Sequence, residues 1–414
     1  MTVSAPPPPP ATPPNRRAAT ATGSEPPAAH PPPPNPPVPT AETPPPATIP
    51  LVTVESPRRI DTLLASLVAI KGSDLHVKAG SPPRVRIDGT LHALNHPVLT
   101  AEDTEALVAE VIRPDQAVAF AETNEADFAY QNDLVGRFRV NVLRQRGAAG
   151  MVFRHVSVGA PALAELGVPE VLYNLALEPR GIVLVTGPTG SGKTTTLAAM
   201  IDHINRHNSV NIVTIEDPIE VIHHDKMAMV NQREVGVDTH DFLSALRGAM
   251  RQDPDVILVG EMRDSETVKA ALAAAETGHF VMSTLHTVDS QETVNRIIDF
   301  FPPHEQQQVR FALAGSLRGI LCQRLVKRAT GKGRAVAMEI AINTGRIADA
   351  ITEPAKTSTI TELVKEGSYY GMQTFDQHLI ALYQAGVITL ATAIESSTSP
   401  HDMQVEMRKQ GITG

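Results

Sequence analysis

Residues 187–194, Gly-Pro-Thr-Gly-Ser-Gly-Lys-Thr, follow an apolar run and precede a segment whose apolar residues Leu197, Met200, Ile201 and Ile204 recur at helical spacing. Glycines in such a turn let backbone N–H groups converge on phosphate oxygens, and the helix N-terminus behind them adds the positive end of its dipole. The pattern assigns Lys193 to the β- and γ-phosphates of ATP and the Thr194 hydroxyl to Mg²⁺. Gly187, Pro188, Thr189, Gly190, Ser191, Gly192, Lys193, Thr194 and Thr195 are therefore the candidate nucleotide-binding set.

Four apolar runs, residues 182–186, 212–215, 256–259 and 280–284, alternate with helical stretches of about a dozen residues, the mark of a parallel α/β sheet. In such sheets ligands bind outside the carboxyl ends of the strands. The first run leads into the phosphate loop, the second into Glu216 and Asp217, the third into Gly260 and Glu261, the fourth to His286. One carboxylate can orient an attacking water and take its proton while another holds the metal through water. Glu216 and Glu261 are the candidates, and either could take either part. His286 stands at the carboxyl end of its strand, where a γ-phosphate would lie, and His279 stands at the other end. Arg137, Arg139, Arg144 and Arg154 fall within one short stretch, with Arg137 and Arg139 on one strand face. They form either a solvated surface or, for some of them, arginine fingers that reach a neighbouring subunit's γ-phosphate.

The elements that must position these groups divide the 414 residues unevenly. Residues 1–50 hold 20 of the 35 prolines and few bulky apolar side chains, so they are expected to be a disordered tail of polyproline character. Residues 51–158 read as a small α+β domain: an amphipathic segment at 60–70, strands at 75–78, 84–87, 136–143 and 150–156, an Asp88-Gly89 hairpin turn, and a helix at 100–112 capped by Thr100. A hinge at 159–168 leads to an ATPase domain at 169–414, whose part beyond Glu305 reads as helical apart from a Gly/Lys-rich turn at 331–333 and a strand at 335–342.

Composition narrows the class. The start is polyproline rather than a charged and then apolar leader, and no run of about 18 apolar residues occurs, so a cytoplasmic protein is expected. A net charge of −9, no Trp and only 5 Tyr argue against a nucleic-acid motor. Cys322 is the only cysteine, which excludes an intrachain disulfide and a cysteine zinc site and leaves a small buried apolar residue.

The motifs SDLH (73–76), GRFRVN (136–141), GPTGSGKTTTLAAMIDHIN (187–205), TIEDPIE (214–220), VNQREVG (230–236), DPDVILVGEMRD (253–264), AAETGH (274–279), STLHT (283–287) and GMQTFDQ (371–377) together resemble the secretion and type IV pilus motor ATPases. Within that family the chain is similar to the twitching-motility retraction ATPases, because assembly and secretion motors carry a four-cysteine zinc module that one cysteine cannot form. The resemblance implies a PAS-like N-terminal domain, a RecA-like P-loop ATPase domain and a homohexamer holding ATP and Mg²⁺ between domains. Thr194, Glu216 and Glu261 would serve the metal, and Glu216, Glu261, Lys193, His286, Arg137, Arg139 and Arg154 the reaction. It further implies a peripheral position on the inner face of the cytoplasmic membrane, against a platform protein of the pilus machine. Residues 344–351 (TGRIADAI) depart from the Ala-Ile-Arg-Asn-Leu-Ile-type helix of the retraction motors, and the proline-rich tail is foreign to them. Pilus assembly or secretion, and an accessory nucleotide-binding role beside a second pilus ATPase, are the alternatives to retraction.

Overall fold

Period-two alternation builds the first sheet of the computed structural model, which describes residues 48–87 and 89–412. The proline-rich stretch through residue 47 and Asp88 of the expected turn lie outside the described residues. Strands β1 (Asp74–Lys78), β2 (Arg84–Ile87), β3 (Thr90–Ala93), β4 (Glu125–Asn132), β5 (Gly136–Gln145) and β6 (Ala148–Val158) pair antiparallel in the order β3-β2-β1-β6-β5-β4. Phe138, Val140 and Val142 of β5 point inward between the more exposed Arg137, Arg139 and Asn141. Against this face lies the helix Arg59–Ala69, which buries Ile60, Leu63, Leu64 and Leu67 at helical spacing. Thr100 caps the helix Ala101–Val111 as expected, in a reciprocal box with Asp103. The helix Pro114–Thr123 and strand β4 were not anticipated, although Ala126, Phe128 and Tyr130 alternate as a half-buried strand should.

The second sheet holds β7 (Gly181–Thr186), β8 (Asn211–Glu216), β10 (Met229–Glu234), β11 (Val256–Val259), β12 (Phe280–Leu285), β13 (Leu317–Lys327) and β14 (Arg334–Ile342), in the order β10-β8-β11-β12-β7-β13-β14. Every neighbouring pair is parallel except β13–β14. Both faces are covered, so its central strands are buried along their length and mostly apolar. Ile182 and Leu184 of β7 join one core with Val268, Leu272 and Val281, while Val183 and Val185 join another with Leu197, Met200 and Ile201 of the helix Lys193–His207. Three following helices begin on aspartates whose carboxylates accept an N–H three residues on: Asp241 from Ser244, Asp264 from Thr267 and Asp289 from Glu292. Each cap stabilises its helix by about 1 kcal/mol.

One expectation meets a different structure. Residues 317–327 are strand rather than helix. Leu317, Ile320, Leu321 and Leu325 carry helical spacing, yet β7 and β14 flank the segment and bury Gly319 through Gln323 without a break. The expected hinge at 159–168 contains a one-turn helix, Leu163–Leu166, with Leu163 buried in the core beside Leu172 and Met200. A short strand β9 (Val221–Ile222), just after the second sheet's β8, pairs with the end of β6, so the backbone itself ties the acidic turn to the first sheet.

The C-terminal helices hold to β14 partly through His378 of the helix Phe375–Gln384, whose Nδ1 accepts the Met338 N–H at 2.9 Å. Burial pushes the His378 pKa down to about 4. The folded state therefore keeps this ring neutral while the unfolded chain protonates it at its ordinary, higher pKa. Its stabilising contribution is complete above about pH 6.5 and is lost as pH falls toward about 4. We expect the gap in melting temperature between the native chain and a His378→Gln variant to narrow from about pH 7.5 to about pH 5. A gap that stays constant over that interval would contradict this assignment.

Candidate functional site

The parallel arrangement of β7, β8, β11 and β12 brings the carboxyl ends of the four strands to one edge, where a cleft of about 610 Å³ opens. Thr189, Gly190, Gly192, Lys193, Thr194 and Thr195 line it from the phosphate loop, Glu216, Asp217 and Glu220 from the acidic turn, and Glu261, Arg263 and His286 from the next two strand ends. The groups expected from strand-end reasoning are thus brought together.

The loop itself needs its glycines. Gly187 has φ 142° and a Cβ there would overlap the Gln323 carbonyl oxygen and the Ser191 hydroxyl; Gly192 has φ 91° at the start of the helix Lys193–His207. Strand β13 forms the floor, with the Gln323 Nε2 donating to the Ser191 carbonyl at 2.8 Å. The Ser191 hydroxyl is buried without a protein partner, as expected of a loop group kept for a ligand. Lys193 Nζ donates to the loop's own carbonyls, Gly187 at 2.7 Å and Pro188 at 3.3 Å. Burial lowers its pKa, and the carboxylates of Glu261 and Glu220 oppose that shift.

The two glutamates sit in different surroundings. Glu216 closes β8, is 9% exposed, and accepts from Thr214 Oγ1 at 2.6 Å and Gln232 Nε2 at 3.0 Å, both on Oε1. Burial pushes its pKa up, against these hydrogen bonds. Glu261 follows β11, pairs with Arg263 and lies 3.8 Å from His286 Nε2. Thr284 holds its turn through a 2.7 Å hydrogen bond to the Gly260 carbonyl. His279, at the opposite strand end, binds the Ala274 carbonyl and does not line the cleft.

The arginines separate. Arg154 lines the cleft and pairs with Asp74 at 2.9 Å while its side chain stays 68% exposed. Arg137 is engaged elsewhere: its guanidinium donates to Glu234 at 2.6 Å, and Glu234 also accepts the Ile219 N–H at 3.0 Å. Arg139 and Arg137 line a separate cavity of about 120 Å³ between the first sheet and the acidic turn. Arg144 pairs with Glu105 and stacks on Phe120, away from the cleft.

Among the described residues no group of three or more His, Cys, Asp or Glu is placed to cage a metal. A Thr hydroxyl and two separate carboxylates around a phosphate loop do fit Mg²⁺, which usually takes one or two protein oxygens and completes its shell with substrate phosphates and water. Sequence reasoning overlooked Gln232, Glu234 and Gln323 as residues that build the site. The first two stand in the stretch 230–236, where period-two spacing after an exposed strand was the available signal.

Comparison with known proteins places these features in context. The family model described as "Type II/IV secretion system protein" matches residues 55–409. The "Type IV pilus retractation ATPase PilT" of Pseudomonas aeruginosa is 45% identical over 343 residues, 83% of this chain and 99% of that protein. The "Type IV pilus ATPase PilU" of the same organism is 41% identical, over 84% of this chain and 91% of its own length. The solved structure titled "Crystal Structure of the Pilus Retraction Motor PilT and Bound ADP" superposes with a TM-score of 0.78 at 44% identity, over 84% of this chain and 99% of that one. The RecA-like fold expected from the sequence is the fold of that neighbour.

The Arg137–Glu234 pair predicts an asymmetry. Glu234→Ala strands a largely buried guanidinium and should lower unfolding stability by about 3 kcal/mol. Arg346→Ala removes a pair exposed on both sides, Arg346–Glu366, and should change it by less than about 1 kcal/mol. Urea midpoints of the two variants measure the difference, and equal shifts would refute it.

Proposed function

The chain belongs to the Type II/IV secretion system protein family, and from that premise we propose that it is the ATP-driven motor that pulls in a type IV pilus. It is an ATPase of the RecA-like fold. The observation that carries the reading is the convergence of Lys193, Thr194, Glu216 and Glu261 on one cleft, in a chain aligned with nearly the whole of a retraction ATPase.

In this reading the N–H groups of residues 187–195 hold the phosphates of ATP, and Lys193 leaves the Gly187 carbonyl to neutralise the β- and γ-oxygens. Mg²⁺, when bound, would supply positive charge that stabilises the departing phosphoryl group. Thr194 and, through water, Glu261 would hold it. Glu216 orients the attacking water and accepts its proton: a carboxylate whose pKa burial has raised is better matched to that task near neutral pH. His286, beside Glu261 at the cleft, responds to the γ-phosphate. Arg154, exposed at the cleft's edge, is the arginine best placed to meet a phosphate, while Arg137 and Arg139 report the position of the first sheet.

Work requires that hydrolysis move something. The acidic turn is joined to the first sheet by β9 on β6 and by Glu234 on Arg137, so nucleotide-dependent shifts of that turn would swing the two sheets relative to each other. In a homohexamer such swings, taken in sequence around a ring, would turn a membrane-embedded platform protein and withdraw pilin subunits. No helix among the described residues is long and apolar enough to cross a membrane; in this reading the platform partner supplies the anchoring and the motor works from the cytoplasmic face. The divergent helix Gly345–Thr352, whose Ile347 and Ile351 are buried, favours an accessory place beside a second pilus ATPase as the alternative.

Lys193→Ala should abolish nucleotide binding. Glu261→Gln should bind ATP yet lose turnover by about 100-fold or more, and a strain carrying it should lose twitching motility. Motility equal to wild type in that strain would sink the motor reading, and a strain that twitches only when a second ATPase is present would select the accessory one.

A further inference from the structure

We propose that Gln232 is a positioning residue that fixes the Glu216 carboxylate so that it can orient the water that attacks the nucleotide. This rests on the reading of Glu216 as a working carboxylate of the cleft. Strand β10 runs parallel to β8 in a register that sets Gln232 beside Thr214 and Glu234 beside Glu216. Gln232 and Glu234 therefore share a face, two residues apart.

All of the Gln232 amide is used. Its Nε2 donates to Glu216 Oε1 at 3.0 Å and to the Val221 carbonyl at 2.9 Å, and its Oε1 accepts the His223 N–H at 2.8 Å. Flipping the amide would set an oxygen against a carboxylate and a carbonyl, and an NH₂ against an N–H. Only one orientation satisfies the three neighbours. Thr214 Oγ1 donates to the same Glu216 oxygen at 2.6 Å. Two donors on Oε1, with a backbone hydrogen bond from Glu220 also on the carboxylate, fix its plane. Because Val221 and His223 lie just beyond the acidic turn, one side chain ties both ends of that turn, residues 216 and 221–223, to a neighbouring strand.

Gln232 is not among the residues lining the cleft, so it acts through Glu216 rather than on the nucleotide. Its loss should then appear in kcat and not in KM. The test is steady-state ATP hydrolysis with Mg²⁺ by the full-length protein and its Q232E, Q232L and E216Q variants. Q232E keeps the size of the side chain and an acceptor for His223 but cannot donate to Glu216. It should lower kcat about tenfold or more, the effect of one lost hydrogen bond to a charged group, with KM for ATP within about threefold. Q232L should do the same, and if it fails to fold, Q232E decides. A purely structural Gln232 would leave Q232E near wild-type turnover, and that result overturns the proposal. So does a raised KM at unchanged kcat. An E216Q variant with wild-type turnover removes the premise itself, whereas an inactive E216Q beside a fully active Q232E rejects the positioning role alone.

Discussion

Glu234 is a carboxylate 3% exposed, and the geometry of the cleft depends on how its burial is compensated. Removing a carboxylate from water is expensive, and an ion pair repays it only with good geometry and further hydrogen bonds. Glu234 has both: Arg137 from the first sheet, and the backbone N–H of Ile219 in the acidic turn. Its own N–H is held by Asp238. Such a pair adds little net stability over an apolar substitute, but it tolerates no sliding. Strand β10 is thereby held in one register against β8 and against the first sheet, and the placement of Glu216 follows from that register.

In the proposed reading, environment divides labour between the two glutamates of the cleft. Glu216 is enclosed and receives only neutral donors, so its charge is disfavoured by burial and relieved by Thr214 and Gln232. Glu261 instead faces cations, Arg263 beside it and Lys193 across the loop. An enclosed carboxylate and one set among cations suit the two parts proposed for them, taking a proton from water and holding a metal.

How much of this was legible depended on whether a residue's partner was local. The loop 187–194 and the ends of β8, β11 and β12 announce themselves because strand, turn and helix are contiguous, and the parallel sheet does the gathering. Thr100 and its helix were legible for the same reason. Strand β13 was misread because its apolar spacing suits a helix, and only its two neighbouring strands, distant in sequence, decide otherwise. The roles of Gln232 and Glu234 depend on a parallel register with β8 and on an arginine in another sheet, neither of which sequence spacing encodes. The arginines were readable as a group and not as individuals, since charge alone does not tell Arg137, spent on Glu234, from Arg154, left at the cleft.

The floor of the phosphate loop has a consequence for how the protein is made. Gln323, which presses on Gly187 and holds the Ser191 carbonyl, stands 132 residues after Ser191 in the chain. At a synthesis rate of about 5–20 residues per second, the ribosome extrudes the loop roughly ten seconds before the strand it rests on. During that interval the nascent chain carries a complete phosphate-binding sequence with no surface to shape it. The loop's final shape therefore waits for β13 to come in beside β7.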